Sequence, residues 1–325
     1  MDELTPQEID KAHERIFSLI IKTPLISSET INKKTNANVY FKLENLQWTG
    51  SFKLRGASNK ISQLSNEEKS RGIVSYSSGN HAQAVAYVSN LFGVQATIIM
   101  PKNAPSIKIG NTKKYGANIV IYDPMYESRE KIALEIARKE NKTIIKPYDD
   151  LDVIAGQGTA GKEIAGELKL KNIQPDLYLC CCGGGGLIAG SSTYLKHAFP
   201  NIKNFAVEPE EFNDTQLSLK NNSIVKNKES GKSICDALLV PQPGYVTFPI
   251  NQTTLDGGLA VSDEEVKKTI IELAEDMKIV AEPGGVVAAT ALLTNKINVK
   301  NKNVVVMISG GNIDYKLFSS IVRNY

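Results

Sequence analysis

Residues 177–190 read LYLCCCGGGGLIAG, an apolar β-rich run that enters a helical pattern through Gly183, Gly184, Gly185 and Gly186. Of all the segments in the chain, this joint leaves the fewest architectures open. A strand that ends in glycines and restarts as a helix aims successive backbone N–H groups along the positive end of a helix dipole, and such a turn binds an anion. A phosphate group suits it. Two other readings stand beside that one. Gly184, Gly186 and Ala189 also satisfy the dinucleotide pattern G-x-G-x-x-A, with Glu208 roughly twenty residues on at the next strand end. The glycines can alternatively serve close helix–strand packing, although four in succession exceed what packing requires. A Walker A loop is excluded, because Ser191 follows Gly190 where that loop requires lysine.

The joint belongs to a longer alternation. β-rich runs at 38–44, 72–77, 94–100, 118–122, 177–182, 204–208 and 304–309 are separated by helical patterns, which predicts an α/β fold with a largely parallel sheet wrapped by helices. With 325 residues, 42% of them hydrophobic, the chain is long enough for two cores or one elaborated unit. Ligands of such sheets lie beyond the carboxyl ends of the strands. The residues found there are Ser78-Gly79-Asn80-His81 after the second run, the glycine joint after the fifth, Pro209-Glu210-Glu211-Phe212 after the sixth, and Gly310-Gly311-Asn312 after the last. No repeat or low-complexity linker intervenes, and 220–233 (KNNSIVKNKESGKS) reads as a surface excursion.

The net charge of +3 is spread along the chain, with no basic tail and no aromatic-basic interleaving, so a small-molecule partner is expected and nucleic acid is not. Residues 5–8, TPQE, read as a capping box with proline at the first helical position, unlike a signal or transit peptide. No apolar run is long enough to span a bilayer, so the expectation is a cytoplasmic protein without a membrane partner. Cys180, Cys181 and Cys182 are consecutive in a strand, where alternate side chains face opposite ways, and cannot share one zinc ion; with Cys235 they read as buried reduced thiols.

Four further places carry chemistry. In TGSFKLRGA (49–57), Lys53 stands between Phe52 and Leu54 behind a Gly-Ser turn. Apolar neighbours desolvate a lysine and lower its pKa, supplying the neutral amine that a Schiff base with an aldehyde cofactor needs. The plain alternative is a helix lysine whose stem covers apolar surface while its amine reaches water. Ser77 to His81 open a helix whose amides suit an anion, although a lone histidine such as His81 more often caps a helix or sits in a core. Glu208 and Asp214 flank a loop with the Phe212 carbonyl between them, a set of hard oxygen ligands suited to Mg²⁺ or Ca²⁺, whereas EPEEFND taken alone reads as a solvated acidic loop. Ser309, taken alone, is a turn residue at a strand end.

Together, SFKLRGA, SSGNHAQAVAY, GQGTAGKE, CGGGGLIAG, EPGG and SGGN resemble in order and approximate spacing the motifs of the fold-type-II pyridoxal phosphate enzymes, in the serine/threonine dehydratase and serine racemase group, over nearly the whole chain. The resemblance implies a tryptophan-synthase-β-like fold: a large domain of residues 1–74 and 150–325 with a mainly parallel sheet, and a smaller mobile α/β domain of residues 75–149. It implies pyridoxal 5'-phosphate held covalently by Lys53, with Phe52 against the ring, Asn80 on the ring hydroxyl, Gly183 to Gly186 and Leu187 on the phosphate, and Ser309 facing the pyridine nitrogen. Ser77, Ser78, Gly79, Asn80 and His81 would take the substrate carboxylate. Lys53 and Ser78 would be catalytic, on opposite faces of the cofactor. A hydroxyl at the ring nitrogen does not enforce its protonation, which makes the ring a weaker electron sink and favours prompt β-elimination. Glu208, Phe212 and Asp214 would hold a divalent cation, Mg²⁺ or else Ca²⁺ or Mn²⁺. A homodimer is implied by analogy alone.

The implied reaction is dehydration and deamination of a hydroxy amino acid, threonine or serine first, to a 2-oxo acid and ammonia. A 3-hydroxyaspartate dehydratase is the second reading, with Lys146 or Arg129 as the cation for the extra carboxylate, although Arg129 lies in YESREKIALEIARKE, where an exposed helical face is the simpler explanation. A serine racemase with side elimination activity is the third. From a different class, the G-x-G-x-x-A match leaves an NAD-dependent oxidoreductase or nucleotide-binding module. Two departures from the group stand out: Lys146-Pro147 where His-Pro is usual, and Asp236-Ala237 where Asp-Gly is frequent, which sets a methyl near the expected path of the cofactor ring. The chain ends soon after SGGNIDYKLF, so a regulatory domain and isoleucine feedback are not expected.

Overall fold

The computed structural model describes residues 3–77, 79–228 and 230–324. Its strands are β1 (Leu25–Ile26), β2 (Asn38–Leu43), β3 (Ile73–Tyr76), β4 (Ala96–Pro101), β5 (Asn118–Tyr122), β6 (Thr143–Ile145), β7 (Leu177–Cys181), β8 (Lys203–Pro209), β9 (Gly257–Val261) and β10 (Asn303–Ile308). They form a six-stranded sheet in the order β1-β2-β10-β7-β8-β9 and a four-stranded sheet in the order β5-β4-β3-β6. Every pairing is parallel except β1 on β2. Val304 of β10 pairs with Val39 on one side and Leu177 on the other, so the runs richest in valine, leucine and cysteine lie at the centre of the larger sheet, buried on both faces.

The helix Pro283–Leu293, PGGVVAATALL, has no polar face and is buried all round beneath β7, β8 and β10. A second core gathers around the smaller sheet, where Ile73, Val85 and Ile98 meet Leu54, Ala57 and Ile61. Those last three belong to the helix Lys53–Ser62, so the helix that opens on Lys53 has one face in the smaller sheet's core. All four cysteines are free and buried, as the alternation of strand side chains implied. Among the described residues no helix is long and apolar enough to cross a membrane.

The seven anticipated strands are present with ends moved by at most two residues and 118–122 unchanged, while β1, β6 and β9 were not anticipated. β1 has only two residues and β6 three, and β9 begins Gly257-Gly258; β1, β6 and β9 are all at sheet edges. Such segments take their extended form from the neighbouring strand, a non-local cause that periodicity does not reveal.

A buried charge network fixes the helix Lys53–Ser62. All three guanidinium nitrogens of Arg55 are engaged: Nε and Nη2 donate to Glu44 at 2.8 Å each, Nη1 and Nη2 donate to Glu163 at 2.8 and 2.7 Å, and Nη1 also donates to Thr159 Oγ1 at 3.1 Å. Lys42 completes the set, its Nζ 2.7 Å from Glu163 and 2.6 Å from the Thr23 carbonyl. Two cations thus face two carboxylates with almost no access to water. Beside them the helix Leu151–Leu170 crosses at backbone distance, because a Cβ on Gly156 would stand 2.7 Å from the Gly56 Cα. Arg55→Met removes one cation and leaves Glu44 without a charged partner. The expected loss is about 3–5 kcal/mol of folding free energy, read from the midpoint of urea unfolding, and an unchanged midpoint would show that the network does not hold this crossing.

Candidate active site

A cavity lies beyond the carboxyl ends of β3, β6, β7 and β10, so both sheets contribute to its wall. Its floor is the turn that opens the helix Lys53–Ser62. Ser51 bridges Gly310, and the Phe52 N–H donates to the Ser309 carbonyl at 3.1 Å, stitching that turn to the end of β10. Lys53 leaves the turn into the cavity. Its Nζ donates to the Pro147 carbonyl at 2.6 Å and lies 5.1 Å from the Phe52 ring centre and 6.0 Å from that of Tyr148. Protein atoms enclose the amine, and this desolvation, opposed only by Cys181, pulls its pKa from 10.5 down to about 8.

Gly183 to Gly186 form the facing wall. Gly185 has φ +90°, a left-handed conformation that disfavours other residues, and the helix Gly186–Ala198 starts directly after it. Tyr148 packs against the glycines so closely that a Cβ on Gly184 would stand 2.3 Å from its ring. Thr247 Oγ1 donates to the Gly184 carbonyl at 2.6 Å, holding that peptide from behind. The result is a side-chain-free cradle at a helix N-terminus, with Leu187 just inside the helix. It suits a phosphate.

The third wall comes from the segment after β3. Ser77 Oγ accepts the Gly79 N–H at 3.1 Å, and the helix Asn80–Leu91 follows. Ser78 lies outside the described residues. His81 is buried, with Nε2 3.3 Å from the Ile145 carbonyl, an oxygen that can only accept, so the proton sits on Nε2. Burial first and the Lys53 charge second press its pKa down to about 3, and the imidazole is neutral. Asn80 donates through Nδ2 to Glu282, and its Oδ1 accepts from Asn312 Nδ2 at 2.9 Å. Ser309 and Ala237 also line the cavity.

Several of these placements were not legible in the sequence. Arg129 is not on an exposed face: it opens the helix Arg129–Glu140 at the cavity wall, with its guanidinium 5.6 Å from the Tyr76 ring centre and Nε 2.8 Å from Glu130 Oε1. Lys146, the other candidate cation, points away and donates to the Asp149 carbonyl at 3.4 Å. Tyr148, Lys108, Asp236 and Glu282 were not assigned to the site at all. EPGG contains Glu282, but nothing local marks Lys108 in its helix Ser106–Lys114.

Glu208 and Asp214 stand apart from the cavity at the end of β8. Glu208 accepts the N–H groups of Thr215 and Gln216 at 2.9 and 2.8 Å, capping the helix Asp214–Asn221. Asp214 accepts from Asn227 Nδ2 at 2.5 Å, and its second oxygen is buried without a partner. Burial pushes the Asp214 carboxyl up to about 7, while burial and the neighbouring Asp214 push Glu208 well up. The acidic loop is therefore not solvated at these two residues. No third histidine, cysteine or carboxylate joins them among the described residues.

The decisive comparison covers most of the chain: residues 16–310 match the family described as "Pyridoxal-phosphate dependent enzyme". The chain belongs to that family. This pyridoxal-phosphate-dependent enzyme is 42% identical to a serine racemase of Schizosaccharomyces pombe over 97% of this chain and 96% of the relative. It is 41% identical to an L-threo-3-hydroxyaspartate ammonia-lyase of Saccharomyces cerevisiae over 96% of this chain and 94% of the relative. The structure of the processed form of threonine deaminase isoform 2 from Solanum lycopersicum superposes with a TM-score of 0.90 at 33% identity, covering 98% of this chain and 87% of that one. With the family known, a nicotinamide-dependent oxidoreductase or nucleotide-binding module loses its basis, and the fold is that of the fold-type-II enzymes.

The lowered pKa of Lys53 makes its reactivity pH-dependent in a defined direction. Unfolded, the amine keeps its proton up to about 10.5; folded, it releases it near 8, so its burial costs stability below pH 8 and that cost fades as pH rises from 8 to 10.5. Cofactor-free protein mixed with pyridoxal phosphate and trapped with borohydride should label Lys53 at a rate that climbs with pH and levels off above about 8. Continued climbing to the ordinary lysine range would mean that the amine is not desolvated.

Proposed function

We propose that this enzyme carries out β-elimination on a hydroxy amino acid, L-threonine or L-serine foremost, releasing a 2-oxo acid and ammonia. The observation that carries the reading is the Lys53 amine, lowered to about 8 in a cavity with a phosphate cradle on one side and the Ser-Gly-Asn-His segment on the other. When bound, pyridoxal phosphate supplies an aldehyde for the substrate amine and a ring that delocalises the electron pair left at Cα. Lys53 would hold the cofactor through its amine and, once the substrate amine has taken its place, would take the Cα proton, while the β-hydroxyl leaves with a proton as water; hydrolysis of the resulting enamine then gives the 2-oxo acid and ammonia. Phe52 would pack against the ring, the N–H groups of Gly183 to Gly186 and Leu187 would hold the phosphate, and Asn80 would bond the ring hydroxyl. Ser309, whose N–H donates to the Gly285 carbonyl and whose carbonyl accepts the Phe52 N–H, would turn its hydroxyl to the ring nitrogen, and a hydroxyl there does not enforce protonation.

Ser77, Gly79, Asn80 and neutral His81 bind the substrate carboxylate, and Ser78, outside the described residues, is proposed as a second catalytic residue. A small domain of residues 75–149 closes on a large one of residues 1–74 and 150–325, excluding water from the cavity. A homodimer is the proposed assembly, since Leu46 and Trp48 are exposed on either side of Gln47, whose side chain is held by the Ile21 backbone. Four free cysteines accord with the reducing cytoplasm.

Glu208, Phe212 and Asp214 are proposed to hold a divalent cation, Mg²⁺ or else Ca²⁺ or Mn²⁺. Two buried carboxylates with, among the described residues, no cationic side chain between them and one oxygen lacking any partner are the donor chemistry that a hard cation neutralises. Addition of Mg²⁺ or Ca²⁺ at 100 times its dissociation constant should stabilise the protein by about 2.7 kcal/mol, visible as a raised melting temperature, and Asp214→Asn should remove the response. A wild-type melting temperature indifferent to Mg²⁺, Ca²⁺ and Mn²⁺, each added in the same way, would remove the cation from the site.

The second reading, a 3-hydroxyaspartate substrate, is favoured by Arg129 at the cavity wall, where a second carboxylate would meet it. A serine racemase with side elimination ranks third. One assay separates them: holoenzyme offered L-threonine, L-serine and the 3-hydroxyaspartate diastereomers, with ammonia, 2-oxo acid and product chirality measured. Threonine or serine should be preferred, and Lys53→Ala should lose the yellow colour and at least about a hundredfold in rate. Preference for hydroxyaspartate that collapses in Arg129→Ala would transfer the assignment to the second reading. A yellow wild type that releases no ammonia from any of them would overturn elimination.

A further inference from the structure

Lys108 is the buried charge nearest the cavity that the reaction above does not use. It sits on the helix Ser106–Lys114, beside the smaller sheet, and is 1% exposed. Its Nζ reaches across to two carboxylates attached to the larger sheet, 2.7 Å to Asp236 Oδ2 and 3.0 Å to Glu282 Oε2. Burial disfavours the ammonium, but Glu282 and Asp236 outweigh it and raise its pKa, so Lys108 stays charged. An amine held by two carboxylates is not a proton carrier. Its role has to be sought in what those carboxylates touch.

Glu282 is the pivot. One of its oxygens takes Lys108, and the other accepts Asn80 Nδ2. Its backbone N–H donates to the Gly310 carbonyl at 3.0 Å, and a Cβ on Gly310 would collide with its carboxylate at 2.1 Å, so the glycine after Ser309 leaves it room. Asn80 in turn is held at its oxygen by Asn312, whose Nδ2 also donates to the Thr49 carbonyl at 2.9 Å. The Asn80 amide therefore has one orientation, with one N–H left over for the cavity. The Lys108 stem lies directly on Gly79: a Cβ there would stand 2.5 Å from Lys108 Cδ and 3.1 Å from Nζ. Lys108 thus touches the Ser-Gly-Asn-His segment through van der Waals contact at Gly79 and through Glu282 at Asn80.

We infer that Lys108 is a positioning residue for the reaction, which braces the Gly79–Asn80 backbone against the larger sheet and, through Glu282, aims the Asn80 amide at the cofactor. The inference rests on the functional reading above. Glu282 supplies two acceptor oxygens to two buried donors, one from each of two separate elements of the smaller sheet's side. Remove the ammonium and Glu282 is left beside Asp236 with no cation between them. Replace Glu282 by glutamine and its single oxygen cannot serve both Lys108 and Asn80.

The test uses full-length Lys108→Met and Glu282→Gln, with Lys108→Arg as the charge-retaining variant. In cofactor-free protein, amide hydrogen exchange over 79–83 should speed up about tenfold or more in Lys108→Met, as an uncompensated buried carboxylate loosens the segment. In holoenzyme, the same variant should bind pyridoxal phosphate about tenfold more weakly and raise KM for the amino acid more than it lowers kcat. Lys108→Arg should recover part of both effects, which a merely volumetric role would not. Should Lys108→Met fail to fold, the near-isosteric Glu282→Gln carries the test with the same expected changes. Exchange, cofactor affinity and KM all within about twofold of wild type in either folded variant would overturn the inference. A wild type that binds no pyridoxal phosphate or releases no ammonia would instead refute the functional reading, while the exchange measurement would still decide whether Lys108 braces the segment.

Discussion

The placement of Lys53 depends on Arg55. Two residues along the same helix, its guanidinium closes a fully buried four-charge network with Glu44, Glu163 and Lys42, tying the turn after β2, the helix Lys53–Ser62 and the helix Leu151–Leu170 into one rigid unit. Ion pairs this deep do not stabilise a fold through Coulomb attraction alone, because the desolvation penalty is of similar size. They are intolerant of misplacement, since any shift leaves a buried charge unpaired. The backbone crossing at Gly56 and Gly156 removes the remaining freedom to slide. Lys53 therefore enters the cavity from a helix whose position is set to within the tolerance of a hydrogen bond.

The cavity exploits that rigidity. Its walls come from strand ends of two sheets, and each wall is built differently. The glycine cradle offers backbone donors without side chains, the Lys53 turn offers one desolvated amine, and the segment after β3 offers a neutral histidine and an oriented amide. Charge is present in quantity nearby, yet it is arranged so that little of it is free: Lys108 is occupied by Asp236 and Glu282, while Arg129 gives one nitrogen to Glu130. An amine kept from water beside neutral groups is prepared to react with an aldehyde; the same amine beside a free carboxylate would hold its proton.

The motifs that could be read were those whose cause is local. The glycine joint, the Ser-Gly-Asn-His helix start and Ser309 at a strand end are each defined by a few adjacent residues, and all line the cavity among the described residues except Ser78, which lies outside them. The charged run around Arg129 allows either a cation for a second carboxylate or, more simply, an exposed helical face; its first turn lies at the cavity because the helix is packed beside β3 and β4. Taken alone, EPEEFND reads as a solvated acidic loop, whereas the strand carries Glu208 into the interior, where it caps the following helix. Tyr148 and Lys108 had no signal, since neither differs from a surface residue until the elements that cover it are in place.

By itself the sequence determined the alternation of strands and helices, the parallel character of the sheets and the joints where an anion and an aldehyde can be held. Those follow from backbone conformation and burial periodicity, which act over a handful of neighbouring residues. Tertiary structure alone decided which charges meet. The pairing of Lys108 with Asp236 and Glu282 and the drop of Lys53 to about 8 arise from contacts between segments 90 or more residues apart, and Arg129 reaches the cavity beside Tyr76 of β3. Desolvation and Coulomb energy depend on distances in space, and no local pattern encodes them.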